Sequence, residues 1–174
     1  SLEDTAIELS KEAVASIARH QGEPFFLYYP TTNIHFPLTP NERFKDRTRS
    51  GVYGEFVIEF DWAVGQLLDA LDRNGIADRT MVVVTSDNGA RPHESLNGHA
   101  CNGPWRGTKR QIYEAGHRVP LIVRWPGKIK PGSRSDHISA FWDYFPTFAE
   151  LTGADLPVEQ HCDGISLLPE LLGE

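Results

Sequence analysis

Apolar positions along the chain follow two rhythms in turn, one helical and one continuous. Asp4 precedes a segment in which Ile7, Val14, Ile17 and Ala18 share one face, with Gly22 beyond its end. A capping carboxylate before the periodic run and a glycine after it predict a first helix. Pro24 then opens Phe25-Phe26-Leu27-Tyr28-Tyr29, an unbroken apolar run that predicts a strand covered on both faces. A longer helix is expected from about Tyr53 to Asn74, with a buried stripe of Phe56, Val57, Phe60, Val64, Leu67, Leu68 and Leu71 and a stop at Gly75.

Thr80-Met81-Val82-Val83-Val84-Thr85 reads as a second buried strand, and Val119-Pro120-Leu121-Ile122-Val123-Arg124-Trp125 as a third. Pro126-Gly127 and Pro131-Gly132 mark turns. Asp143 is placed to cap a last helix that tolerates Pro146 in its first turn, directs Phe145, Phe148 and Leu151 inward and ends at Gly153. Strands alternating with helices predict an α/β fold, a mostly parallel sheet flanked by helices. The 174 residues fit one globular unit spanning 1–174. No internal repeat or low-complexity segment interrupts it.

In such sheets ligands gather at the carboxyl ends of strands, so the loops that follow the strands carry the chemical interest. Thr31 to Pro40 is a proline-rich loop bearing Asn33 and His35. Ser86-Asp87-Asn88-Gly89 begins a polar stretch that runs to Gly107, a length typical of functional or disordered loops. Asp87 and Asn88 suit a hard cation such as calcium, which takes six to eight oxygens. The same four residues also suit a tight turn, and spacing leaves both readings open. Lys109 is a compact charge able to hold a sulfate or phosphate oxygen, or a solvated surface residue. His35 is a general acid toward a leaving oxygen, or a structural loop histidine. His93, His99 and His117 form no HxH, HxxxH or HExxH spacing, so no transition-metal site is expected.

Charge narrows the partners. A balance of 17 basic against 24 acidic residues gives a net charge of -7, which argues against general nucleic-acid binding. The stretch from Cys101 to Trp125 departs from this, with Arg106, Lys109, Arg110, Arg118 and Arg124 against the single acid Glu114. No apolar stretch approaches a membrane span and no secretory leader is read before the first helix, so no membrane contact is expected. Cys101 and Cys162 have no metal or redox spacing; one disulfide, two thiols or outside partners all remain open.

Taken in order, several long segments resemble the sulfatase family of the alkaline-phosphatase-like superfamily. They are PFFLYYPTTNIHFPLTP (24–40), the helix from Phe60-Asp61 to Leu71, TMVVVTSDNG (80–89), RGTKRQIYEAGHRVPLIVRWPG (106–127), and a tail with DxxPT and DGxSL elements between Asp143 and Leu168. The resemblance implies that Asp87 and Asn88 are calcium ligands. It also implies that Lys109 holds a sulfate oxygen, and that His35 contacts the sulfate or protonates the leaving alcohol. Arg106, Glu114 and Arg118 are expected to be structural. A sulfated small molecule or glycan is the implied substrate, and a periplasmic, secreted or lysosomal-type location the implied setting.

One departure limits the resemblance. Sulfatases use a cysteine or serine in C/S-x-P-x-R, converted to formylglycine, and further acidic metal ligands near the family's amino terminus; neither occurs here. Cys101-Asn102-Gly103-Pro104-Trp105-Arg106 has its proline and arginine one place too late and lies in the wrong segment. The expectation is therefore a carboxyl-side portion of a sulfatase catalytic domain, without its nucleophile. Such a portion should pair with the missing amino-terminal half or self-associate. The competing readings are a phosphomonoesterase or phosphodiesterase of the same superfamily, and a non-catalytic module that binds sulfated glycan.

Overall fold

In the computed structural model, which describes residues 1–92, 99–156 and 161–173, the chain divides into two compact units, Ser1–Val123 and Arg124–Glu174. The first holds helices α1 (Thr5–His20), α2 (Gly51–Arg73) and α3 (Glu114–His117) and a two-stranded sheet of β1 (Val82–Thr85) and β2 (Leu121–Arg124). The second holds α4 (Tyr144–Thr152) and α5 (Leu168–Leu172). No helix among the described residues is long and apolar enough to cross a membrane.

The core of the first unit lies where α1 meets α2. Ile17, Ala70, Leu71 and Ile76 are buried together, with Val14, Phe25, Leu27, Leu67 and Val82 packed around them. α2 runs close to its expected bounds, and its end is closed by Asn74, whose backbone N–H and side-chain amide both reach the Ala70 carbonyl. Its inner face differs from the expected stripe. Gly54, Glu55, Phe56, Glu59, Ala63, Ala70 and Leu71 are buried, while Val57, Phe60, Val64, Leu67 and Leu68 are only partly covered. Small residues let the helices approach closely, and the two buried glutamates have work to do there. Glu59 Oε2 accepts the Asn41 N–H at 3.1 Å and Glu55 Oε1 the Asp46 N–H at 2.8 Å. They pin the chain just past the His35 loop to α2.

The Asn41 side chain continues this anchor to α1, donating to the Glu3 carbonyl at 3.2 Å and to Asp4 Oδ1 at 3.0 Å. Asp4 is thereby drawn away from the capping role expected of it; it makes no side-chain cap bond, and Ser1 also donates to it. Asp143 departs in the same way. Its carboxylate accepts the backbone N–H groups of Ala140 and Ile165, at 2.7 and 3.0 Å, rather than capping α4. Thr147 takes the Leu167 N–H at 2.8 Å, so the covered face of α4 is Pro146 and Thr147, and Phe145 is exposed.

The expected strand over Phe25–Tyr29 joins no sheet among the described residues. Its side chains still alternate. Phe25, Leu27 and Tyr29 turn to the core, Tyr29 meeting Ser10 at 2.9 Å, while Phe26 and Tyr28 are 75% and 77% exposed. One face is covered where two were expected. On β2 the adjacent Leu121 and Ile122 are both exposed, at 37% and 61%, while Val123 and Arg124 are partly covered. A parallel sheet is not seen at the extent the sequence predicts, because two short strands are all that pair among the described residues.

Glu59 carries a testable consequence. It is fully buried and its Oε1 has no hydrogen-bond partner. Burial raises its pKa above the ordinary glutamate range, against the opposing pull of the Asn41 N–H and the Arg43 charge. A raised carboxyl pKa makes the folded state hold its proton longer than the unfolded state does. The corresponding stability is present below the unfolded value and lost as pH rises through the folded one. Glu59→Gln, which cannot ionise, should therefore gain stability over the native chain at pH 7, and the gain should shrink toward pH 4. Urea unfolding at the two pH values measures this; an equal effect at both would refute it.

Candidate active site

β1 ends at Thr85, whose hydroxyl donates to the Pro120 carbonyl at 2.9 Å, fixing the strand end beside the start of β2. The next residues bend into a loop in which Ser86 Oγ donates to the Asn88 carbonyl at 3.1 Å. Asp87 stands exposed at its tip, and its carboxylate has no hydrogen bond or ion pair among the described residues. Asn88 is partly covered; its amide nitrogen donates to the Gly89 carbonyl at 3.2 Å, and its Oδ1 has no partner among the described residues. Two oxygen donors on adjacent residues thus end the strand.

Backbone bonds tie this loop to the segment carrying Lys109. Gly89 N–H donates to the Gly116 carbonyl at 3.1 Å, and Lys109 N–H to the Ala90 carbonyl at 2.9 Å. Asn102 accepts the Ala90 N–H at 2.9 Å and donates to the Ala90 and Gly107 carbonyls at 3.4 and 3.3 Å. The approach is so close that a Cβ on Gly89 would lie 1.6 Å from the Ala115 oxygen, and one on Gly116 2.0 Å from the Gln111 oxygen. Only glycine fits at either place. The Lys109 ammonium, partly exposed, has no partner among the described residues and forms no ion pair with Asp87.

His35 lies on a separate loop. Its Nδ1 is 2.7 Å from the Phe36 carbonyl. A carbonyl only accepts, so Nδ1 carries the hydrogen and Nε2 is left as the exchangeable position. The Arg91 guanidinium lies 5.7 Å from the Phe36 ring centroid, within reach of a cation–π contact, and joins the His35 loop to the chain just after Asn88. Ile34 beside His35 and Arg110 beside Lys109 both have left-handed backbones, with φ of 60° and 75°. For a β-branched residue this conformation is strained, and such strain concentrates at functional sites.

Arg106, Glu114 and Arg118 are engaged within this segment, while Arg110 is exposed and unpaired among the described residues. Arg106 stacks 3.8 Å above the Tyr113 ring, and Arg118 stacks 4.1 Å above Trp105 while pairing with Glu114 at 3.0 Å. His99 packs against Tyr53 at 5.3 Å, His117 is exposed, and His93 lies outside the described residues. Cys101 and Cys162 form no disulfide. Among the described residues no three His, Cys, Asp or Glu side chains gather as a metal cluster. The free oxygens of Asp87 and Asn88 fit the donor chemistry of calcium, and supply two of the six to eight it takes. Asn102 and Arg91, which hold the loops together, escaped sequence reasoning because nothing in a long polar loop marks one residue as a tie.

The Sulfatase family model matches residues 4–154 of the chain. The chain belongs to the sulfatase family. It is 42% identical over 169 residues to rat steryl-sulfatase, covering 95% of this chain and 29% of that protein. Against the N-acetylgalactosamine-6-O-sulfatase of Bacteroides thetaiotaomicron it is 37% identical over 180 residues, covering 99% and 35%. A structure from work on glycosaminoglycan metabolism by the same bacterium superposes with a TM-score of 0.90 at 37% identity, covering 99% of this chain and 38% of that one. This sulfatase chain therefore spans about a third of the length of the relatives it matches.

Proposed function

We propose that the chain is the carboxyl-side portion of a calcium-dependent sulfatase catalytic domain that hydrolyses a sulfate ester. The observation that carries this reading is the backbone lacing of the Asp87-Asn88 loop to the Lys109 loop. It keeps the Asp87 and Asn88 oxygens and the Lys109 ammonium, unpaired among the described residues, on adjoining segments after β1. Asp87 and Asn88 would hold calcium, which when bound polarises the sulfate oxygens. Lys109 would neutralise a sulfate oxygen. His35, with Nδ1 committed to Phe36, would hand a proton from Nε2 to the leaving alcohol. A sulfated glycan or small molecule is the substrate class.

The formylglycine precursor C/S-x-P-x-R does not occur among the 174 residues, so no side chain here supplies the attacking group. We assign the exposed faces of Phe26, Tyr28 and Ile122 to contact with the remainder of the catalytic domain. The 174-residue chain alone is expected not to hydrolyse 4-nitrophenyl sulfate. With two of six or more ligands, it should bind calcium no more tightly than about millimolar, and Asp87→Ala should remove that binding. Hydrolysis by the pure chain that disappears in Asp87→Ala would overturn the assignment of a half site.

A further inference from the structure

We propose that Asn102 is a positioning residue of the candidate site, setting where Lys109 stands relative to Asp87 and Asn88; this rests on their two loops acting together on a sulfate ester. Asn102 belongs to neither loop. It lies in a turn of its own, closed by the Gly103 N–H on the Ala100 carbonyl at 2.9 Å and the Trp105 N–H on the Asn102 carbonyl at 3.2 Å. Gly103 takes the left-handed φ of 55° that this turn needs. The Asn102 backbone is thus held by its own turn, apart from any contact of its side chain.

That side chain bonds to both loops at once. Its Oδ1 accepts the Ala90 N–H at 2.9 Å, and its Nδ2 donates to the Ala90 carbonyl at 3.4 Å and the Gly107 carbonyl at 3.3 Å. Ala90 is two residues past Asn88, and Gly107 is two residues before Lys109. Two residues reach at most about 7 Å, so a shift at either anchor passes to the group beside it. The Ala90 carbonyl also accepts the Lys109 N–H at 2.9 Å, which joins the two loops at a single oxygen. A carboxylate in place of the Asn102 amide would keep the Ala90 N–H and lose both donations. It would also set its charge against two carbonyl oxygens. Misplacing a reacting or binding group by about 1 Å can cost about a hundredfold in rate.

Asn102→Asp supplies the test, because it keeps the shape and turns both donors into acceptors. In the 174-residue chain, hydrogen exchange at the Ala90 and Lys109 amides should quicken at least about tenfold. The Ile17 and Leu71 amides of the α1–α2 core should keep their native rates. In a protein that joins this chain to the rest of its catalytic domain, kcat/KM for a sulfate ester should fall about tenfold to a hundredfold. The same change in a Lys109→Met background should cost less than about threefold, because the placement it spoils no longer serves an ammonium. Asn74→Asp removes a comparable amide bond, to the Ala70 carbonyl at the end of α2. It is the control for lost stability and should leave kcat/KM within about twofold. Unchanged exchange at Ala90 and Lys109, exchange quickened as much at Ile17 and Leu71, or equal losses of kcat/KM in the two backgrounds would each overturn the proposal. A joined native protein that hydrolyses no sulfate ester would sink the hydrolase reading instead, and the exchange rates then decide whether Asn102 holds the two loops.

Discussion

Gly89→Ala is expected to cost the first unit about 3 kcal/mol or more, because the added methyl has nowhere to go. Its position falls 1.6 Å from the Ala115 carbonyl oxygen, and that oxygen belongs to backbone that cannot swing aside as a side chain tip would. Relief requires the Asp87-Asn88 loop to part from the 106–118 segment. That parting breaks the Gly89–Gly116 and Lys109–Ala90 backbone bonds, and the Asn102 bonds to Ala90 with them. A domain stable by only about 5–15 kcal/mol loses a large share of its margin in this way. Gly22→Ala is the matched control, since nothing lies within 4 Å of a Cβ there, and its effect should stay within about 0.5 kcal/mol. Urea midpoints give the comparison, and hydrogen exchange at the Lys109 amide shows where the damage falls. Equal midpoints for the two variants would mean that the loops are not locked as described.

The glycine at 89 was visible in the sequence; its reason was not. Ser86-Asp87-Asn88-Gly89 satisfies the backbone demands of a tight turn as readily as those of a metal-bearing strand end. What separates the two readings is contact with Ala115 and Gly116, residues more than twenty-five positions away, which no local pattern reports. The fold shows the same division. α2 was legible to within two residues at each end because its period and its stop at Gly75 are local properties. Its buried face was not, since Glu55 and Glu59 are inside only because the backbone at Asp46 and Asn41 needs acceptors there. Hydrophobicity counts neither need.

Phe25–Tyr29 shows the converse. Its unbroken apolar run predicts cover on both faces, yet Phe26 and Tyr28 are open to solvent. An apolar run reports the environment for which a segment is built, and the described residues furnish one side of it. The family matches agree in scale, because this chain spans about a third of its relatives. Asp87 and Asn88 follow β1, Lys109 lies in the segment laced to them, and His35 lies on a separate loop whose preceding run joins no sheet among the described residues. That a backbone lace would bring Lys109 against the Asp87 loop, while a single Arg91–Phe36 contact links in the His35 loop, required coordinates.

Lys109→Met should lower kcat/KM for sulfate ester hydrolysis by about a hundredfold to a thousandfold in a protein that joins this chain to the rest of its catalytic domain. The ammonium has no protein partner among the described residues, so its charge is uncommitted. Its backbone is held to Ala90 and flanked by the left-handed Arg110, which fixes where the side chain leaves the loop. A residue kept so and paired with nothing contributes little to stability. The unfolding midpoint of the 174-residue chain should shift by no more than about 0.5 kcal/mol in the same variant. Arg110→Met provides the contrast, since it removes an equal charge one residue away from a side chain that is exposed and also unpaired. If Lys109 acts on a sulfate oxygen rather than through the general field of the loop, Arg110→Met should change kcat/KM by only a few-fold. Lys109→Arg should not restore activity, because a planar fork does not occupy the place of a compact ammonium. Equal losses from the two methionine variants would assign the effect to diffuse charge and remove Lys109 from the site.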